Sequence, residues 1–105
     1  MKRYKFQALV TLLPPPDGQA RVQFGPSPCR MVLHAQNNET HRNEVFSALV
    51  ASDDPGPFRP GGSRVMVTLR LVGDDVADCL GVGSRFHLWL GGDVGLGVVT
   101  RRLFV

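Results

Sequence analysis

The chain contains several short segments in which hydrophobic side chains occupy every second position. This period of two is typical of β-strands that bury one face and expose the other. The clearest example carries four aliphatic residues in alternation: Val65, Val67, Leu69 and Leu71. The pattern predicts six strands, at about 4–13, 29–35, 44–51, 64–72, 84–90 and 95–104.

Segments rich in proline and glycine separate the predicted strands. They lie at 14–18, 25–28, 53–57, 60–62 and 91–92. Because proline removes a backbone donor and glycine permits a positive φ, these segments favour turns. A helix is predicted only at about 75–80, for roughly one turn. Short strands separated by regular turns indicate an all-β barrel or sandwich, formed by a single domain over residues 1–105.

The chain is mildly basic. Its 105 residues include 12 lysines and arginines against 9 acidic residues, which gives a net charge of +3. This excess suits an acidic partner or RNA, but it is also typical of ordinary solubility. No hydrophobic run approaches the roughly 20 residues that a membrane-spanning helix needs. The alternation from Tyr4 to Leu12 favours a strand over a secretion signal, so we expect a cytoplasmic protein without membrane contact.

The sequence carries no recognisable catalytic or metal-binding pattern. Cys29 and Cys79 lie outside any CxxC motif, which predicts two free thiols, although one disulfide is also compatible with the sequence. The three histidines have no zinc-ligand spacing relative to these cysteines. A phosphate-binding loop needs a lysine after its glycines, and the last lysine of the chain is Lys5. We therefore expect no enzyme activity, no metal, no cofactor and no bound nucleotide.

The C-terminal part of the chain shows a more specific pattern. Pro-Gly-Gly-Ser at 60–63 leads into Val-Thr-Leu at 67–69. Gly-Ser-Arg-Phe-His-Leu-Trp-Leu-Gly-Gly follows at 83–92, and Gly-Leu-Gly-Val-Val at 95–99. In these segments the chain resembles the C-terminal barrel, the third domain, of bacterial elongation factor Tu. The resemblance implies a closed six-stranded antiparallel Greek-key barrel.

The resemblance also implies a binding role, because in that family the third domain contacts partner proteins and tRNA while a separate domain holds the nucleotide. The family has Gly-Gly-Arg-His in a loop near tRNA, whereas this chain has Asp-Gly-Gln-Ala at 17–20. The segment between Leu69 and Gly83 is also about five residues longer than the family pattern. We therefore expect a stand-alone, non-catalytic module that binds another protein or a second copy of itself.

A set of outward-facing basic and aromatic residues is the candidate binding surface. If strands four to six are neighbours, one face of the sheet carries Arg64, Arg70, Arg85, His87, Trp89, Arg101 and Arg102. Arginines beside an aromatic ring suit an acidic protein surface or RNA, so RNA or tRNA binding in a translation-related role is the alternative function. The same arginines would also serve simply to hydrate a strand face and protect its edge.

Overall fold

The structure is a computed structural model that describes residues 2–13, 27–52 and 64–104. All six predicted strands and the helical turn are present within these ranges. The elements are β1 (Arg3–Leu12), β2 (Cys29–Gln36), β3 (Asn43–Ser52), β4 (Arg64–Val72), α1 (Val76–Cys79), β5 (Arg85–Trp89) and β6 (Asp93–Leu103). The predicted turns at 14–18, 53–57 and 60–62, and the loop compared at 17–20, lie outside the described residues.

The six strands form a closed barrel in the order β1-β4-β3-β2-β5-β6, with β6 pairing back to β1. Every strand pair is antiparallel. Consecutive strands β2, β3 and β4 form a meander, and β1 lies on the far side of β4, which is a Greek-key arrangement. The predicted fold class is therefore confirmed. The neighbour relation assumed for strands four to six is wrong for β4, because β1 lies between β4 and β6.

Side chains that point inward from all six strands fill the barrel. The predicted alternation in β4 is confirmed, since Val65, Val67 and Leu69 are each 0% exposed. The largest buried side chains include Phe6, Met31, Leu33, Leu69, Leu71, Phe86 and Leu88. Burying one side chain of this size stabilises the fold by roughly 1.5–3 kcal/mol. The hydrophobic alternation is thus the main reason that the chain closes into a barrel.

The short helix α1 closes one end of the barrel. Its residues Val76 and Cys79 and the following Leu80 are almost fully buried and belong to the core. The backbone N–H of Asn38, at the end of β2, donates to the carbonyl oxygen of Asp78 at 2.9 Å. Cys79 therefore lies near the last residue of β2, whereas Cys29 is the first residue of that strand. Eight residues of strand span about 25 Å, and both cysteines are free thiols.

The hairpin between β5 and β6 depends on two different uses of glycine. Gly91 lies in the turn with a φ of +71°, in the left-handed region that favours glycine. Gly97 of β6 lies opposite Phe86 of β5, and a Cβ atom on Gly97 would overlap the Phe86 ring. The two strands therefore approach closely at this pair, because the Phe86 ring occupies the space above Gly97.

One buried polar residue organises the turn between β2 and β3. The side-chain Oδ1 of Asn37 accepts hydrogen bonds from the backbone N–H groups of Glu39, at 2.8 Å, and Thr40, at 3.1 Å. The Asn37 backbone closes the same turn by accepting from the N–H of His41 and donating to the carbonyl of Arg42. His41 has a φ of +61°, which is uncommon for a residue with a side chain. Asn37 therefore fixes the point at which β3 begins.

Across residues 2–13, 27–52 and 64–104, no helix has the length and apolar character that crossing a bilayer requires.

Candidate binding surfaces

The seven predicted binding residues do not form one face, because β4 is separated from β5 and β6. Arg85, His87 and Trp89 point outward from β5. Arg64 reaches the same region from the first residue of β4, across β1 and β6. The remaining three lie elsewhere: Arg70 towards the other end of β4, and Arg101 and Arg102 near the end of β6.

Strand register places the outward side chains of five strands in continuous rows. One row crosses the wall from β2 to β4 and consists of His34, His87, Leu96, Thr11 and Arg64. Because neighbouring strands lie about 4.8 Å apart, this row spans about 19 Å. A second row, from β5 to β4, consists of Arg85, Val98, Leu9 and Met66. We call the surface formed by these two rows and Trp89 the aromatic face.

The aromatic face combines exposed apolar side chains with cations. Trp89 is 42% exposed, Leu96 41% and Val98 39%. The indole ring of Trp89 lies 6.3 Å from the His34 ring, centroid to centroid, at an interplanar angle of 57°. Two shallow depressions border these residues. One, of about 440 Å³, contains His34, Arg85, His87 and Trp89, and the other, of about 420 Å³, contains Arg64, Arg85, Leu96 and Val98.

Arg102 has a structural contact at the end of the barrel. A bulge in β6 shifts the register, so that Arg102 lies opposite Phe6, an inward residue of β1. The guanidinium carbon lies 5.1 Å from the centroid of the Tyr4 ring, a cation–π contact. Tyr4 in turn stacks on Phe6 with centroids 6.0 Å apart and planes within 4°. Arg102 therefore covers the Tyr4 ring at the end of the core, although both Arg101 and Arg102 are exposed.

Arg70 belongs to a separate surface, near the other end of β4 from Arg64. It points outward from β4 and pairs with Lys5 of β1. A groove of about 590 Å³ brings Arg70 and Lys5 together with Arg3 of β1 and Arg30 of β2. We call this groove, with its four cations, the basic groove. No acidic residue is present among its described lining residues.

Sequence reasoning did not assign three of these cations to a site. Arg3 and Lys5 alternate with Tyr4 and Phe6, so their outward direction was readable. Their proximity to Arg70 depends on the β1–β4 register, which links residues more than sixty positions apart. Arg30 enters the groove only because β2 lies two strands from β4 in the barrel order.

Cys79 is buried among core residues and lies near acidic side chains. Burial raises the pKa of its thiol. The carboxylate of Glu44, followed by those of Asp78 and Asp75, raises that pKa further. A thiol of this kind is protonated at neutral pH and is a weak nucleophile. In the parts of the chain that the structure describes, no cluster of histidine, cysteine and carboxylate side chains is placed to hold a metal ion.

The closed six-stranded antiparallel barrel is the architecture that the sequence resemblance implies. No protein-family model matches the chain, and no curated protein matches it either. Because one barrel architecture supports many activities, its presence does not determine a function. The function must therefore be inferred from the chemistry of the two surfaces.

Proposed function

We propose that this chain is a non-catalytic binding module, similar to the third domain of elongation factor Tu, that recognises another protein through its aromatic face. The observation that supports this most directly is the row of exposed apolar residues between cations. Leu96 and Val98 lie side by side on β6, with Arg85 on one flank and Arg64 on the other. Such a surface combines apolar contact area with charged groups that orient a partner.

The residue types of the aromatic face favour a protein partner. Tryptophan and arginine are the residues most enriched among those that dominate the binding energy of protein interfaces. Trp89 is exposed while its edge is supported by His34, so its ring is held in place before binding. Rigid aromatic groups lose little conformational entropy on association. The expected partner surface is apolar at its centre and carries carboxylates opposite Arg64 and Arg85.

RNA binding is the second candidate function, because the same exposed ring would also stack on a base. Trp89 with the nearby Arg85 and His87 has the composition of a single-strand stacking platform. This role would make affinity fall steeply with salt, since each neutralised phosphate releases a counterion. Replacing Arg64 and Arg85 with alanine would then flatten the salt dependence. The two candidates therefore differ in a measurable quantity.

Photo-crosslinking from the aromatic face tests the proposed function. Benzoylphenylalanine is placed at position 89, and the control variant carries it at Val82, which is 71% exposed and outside that face. Lysate of the source cell is irradiated with and without RNase. We expect a protein adduct, unaffected by RNase, from position 89 and not from position 82. Leu96→Ser should abolish this adduct.

Two other outcomes would change the assignment. An adduct that contains RNA and disappears with RNase would replace the protein-binding proposal with the RNA-binding one. Equal adducts from positions 89 and 82 would show that the aromatic face is not selective and would contradict the proposal. A crosslink between two copies of the chain, lost in Leu96→Ser, would identify the protein partner as a second copy.

A further inference from the structure

At one end of the closed barrel, β3 extends beyond the end of β4. Pairing between these strands runs from Ser52↔Val67 only as far as Ala48↔Leu71. The first five residues of β3, 43–47, continue to pair with β2 on their other side. Among the described residues they have no strand partner on the β4 side. Alternate residues of an antiparallel strand direct their N–H and C=O groups away from a given neighbour. Among the described residues, this half of β3 therefore has an edge that no other strand occupies.

The basic groove lies at this end of the barrel. Its floor contains the inward side chains of Phe46 and Leu71 and the edge of Tyr4. Two exposed aliphatic residues border it, Val45 at 60% and Val72 at 53% exposed. Exposed apolar residues beside an unpaired strand edge favour pairing with another polypeptide.

The charges of the groove specify the chemistry of that polypeptide. Arg30 lies on the β2 side, where its Nη1 donates to the Ser47 hydroxyl oxygen at 2.8 Å. Arg3, Lys5 and Arg70 lie on the side of β1 and β4. The described lining residues include no carboxylate that would neutralise these cations. A bound segment would therefore have basic side chains on both of its flanks, which favours an acidic sequence.

We propose that the basic groove binds an extended acidic segment of a partner protein, which adds to β3 as an extra strand. Side chains of an added strand alternate between the inside and the outside of the barrel wall. Inward residues of the segment would be apolar and contact Phe46 and Leu71. Outward residues would be acidic and lie close to the cations of the groove, with Arg30 bonded to Ser47 of β3 and Arg3 opposite Val72, the last residue of β4. The segment thus has an alternating acidic and apolar sequence.

The groove favours a peptide over a nucleic acid because it offers no exposed ring for stacking. Tyr4 is only 4% exposed and is covered by Arg102. The other aromatic ring of the groove, Phe46, points inward and packs against the core. Free backbone groups along β3 would satisfy another peptide backbone, and a nucleic acid has no matching repeat. The groove and the aromatic face share no residue. Arg3 and Lys5 lie at the start of β1 and Arg70 near the end of β4, whereas Leu9, Thr11 and Arg64 lie at the opposite ends of these strands.

A binding measurement with defined peptides tests the proposal. The probe is a fluorescent capped peptide of about six residues, alternating glutamate and valine, since a typical strand has that length. Affinity is measured by anisotropy for the wild-type chain and for the double variant Arg30→Glu, Arg70→Glu. We expect at least a tenfold loss of affinity in this variant. The variant should instead bind a lysine–valine peptide at least tenfold more tightly than the wild type does. The control Arg85→Glu, on the aromatic face, should keep its affinity for the glutamate–valine peptide within twofold.

Backbone methylation tests whether the segment pairs as a strand. One peptide is methylated at the amide nitrogens of its odd-numbered residues, and the other at those of its even-numbered residues. Because a strand added to one edge uses only every second N–H, one peptide should lose binding and the other should retain it. Equal effects of the two methylation patterns on binding would overturn the proposal. Failure of the glutamate–valine peptide to bind would also overturn it. So would tighter binding of a single-stranded oligouridylate, if the same double variant abolished that binding. Loss of the crosslink at position 89 would instead contradict only the proposed role of the aromatic face.

Discussion

The aromatic face and the basic groove belong to one barrel, yet they present different chemistry to a partner. In the aromatic face, β5 and β6 are paired with neighbours on both sides, so their backbone groups are occupied. Only side chains are available there, and the register arranges them in rows. In the basic groove, the first half of β3 is paired on one side alone among the described residues. The backbone itself is therefore available for recognition.

The difference suggests two modes of binding to test. We propose that the paired strands of the aromatic face select a partner by apolar area and by the position of its cations, as at Leu96 between His87 and Thr11. We propose that the part of β3 beyond the end of β4 selects a partner by its ability to extend the sheet, with cations adding charge selectivity. Under these proposals, one small barrel would bind two unlike partners.

Gly97→Ala should cause the largest loss of stability and should disrupt the aromatic face. The added methyl group would overlap the ring of Phe86, which is 1% exposed and cannot move outward without opening the core. We expect the free energy of unfolding to fall by about 3 kcal/mol, in the upper range for overpacked sites. Urea denaturation measures this change.

The control for that measurement is Gly81→Ala, whose new Cβ would meet only the Ser84 hydroxyl oxygen, at 4.0 Å. It should change stability by less than about 0.5 kcal/mol. In the double variant Gly97→Ala, Phe86→Leu, the smaller side chain should recover part of the loss. Additive effects of the two substitutions would show that the ring is not what excludes a side chain at position 97.

Asn37→Ala should have the next largest effect and should act on the side of the basic groove. Asn37 is 8% exposed, and its Oδ1 accepts two backbone hydrogen bonds in the turn where β3 begins. Leaving those donors without a partner should cost about 1–2 kcal/mol of stability. The control Asn38→Ala keeps the backbone bond to Asp78 and should be nearly neutral. If both variants lost the same stability, the side chain of Asn37 would not be what fixes this turn.

Arg102→Ala should have a smaller effect, at the point where the core meets the basic groove. Its guanidinium lies over Tyr4, whose edge lines the groove floor. We expect thermal unfolding to show a loss of about 0.5–1 kcal/mol, as for a cation–π contact near the surface. The neighbouring Arg101→Ala removes the same charge without a ring contact and serves as the control. Equal losses in the two variants would assign the effect to net charge alone.

Cys79 should not affect the pH dependence of stability near neutral pH, but it should affect it measurably in alkaline solution. The pKa of its thiol is raised in the folded protein by burial and then by the Glu44 carboxylate, so the folded state holds the proton more tightly than the unfolded chain. Its contribution to stability should therefore be complete below the ordinary cysteine pKa. It should decrease as the pH rises above that value.

Comparing Cys79→Ala with Cys29→Ala in urea at about pH 7 and about pH 10 isolates this contribution. The alkaline loss of stability should be smaller in Cys79→Ala than in Cys29→Ala. Equal alkaline losses would show that the buried thiol does not determine this pH dependence. A labelling reagent should likewise modify the half-buried Cys29 before it modifies Cys79.

Local features of the chain were predictable, whereas features that depend on strand order were not. The alternation around Val65 and Leu69 predicted β4, and the glycines at 91–92 predicted the turn between β5 and β6. These signals depend on residues near one another in sequence. The separation of Arg70 from Arg85 follows from the position of β1 between β4 and β6, which no local pattern encodes. Sequence reasoning therefore named four residues of the aromatic face, Arg64, Arg85, His87 and Trp89, and only Arg70 of the four cations in the basic groove.

The central claim is that the barrel has two separate surfaces with different modes of recognition, and chemical-shift mapping tests it most directly. An isotope-labelled chain is titrated with the glutamate–valine peptide while the backbone amide signals are followed. The account predicts shifts concentrated at residues 43–47 of β3 and at Leu71 and Val72 of β4, with β5 and β6 unchanged. Shifts centred on Trp89 and Leu96, or spread over both surfaces, would contradict it.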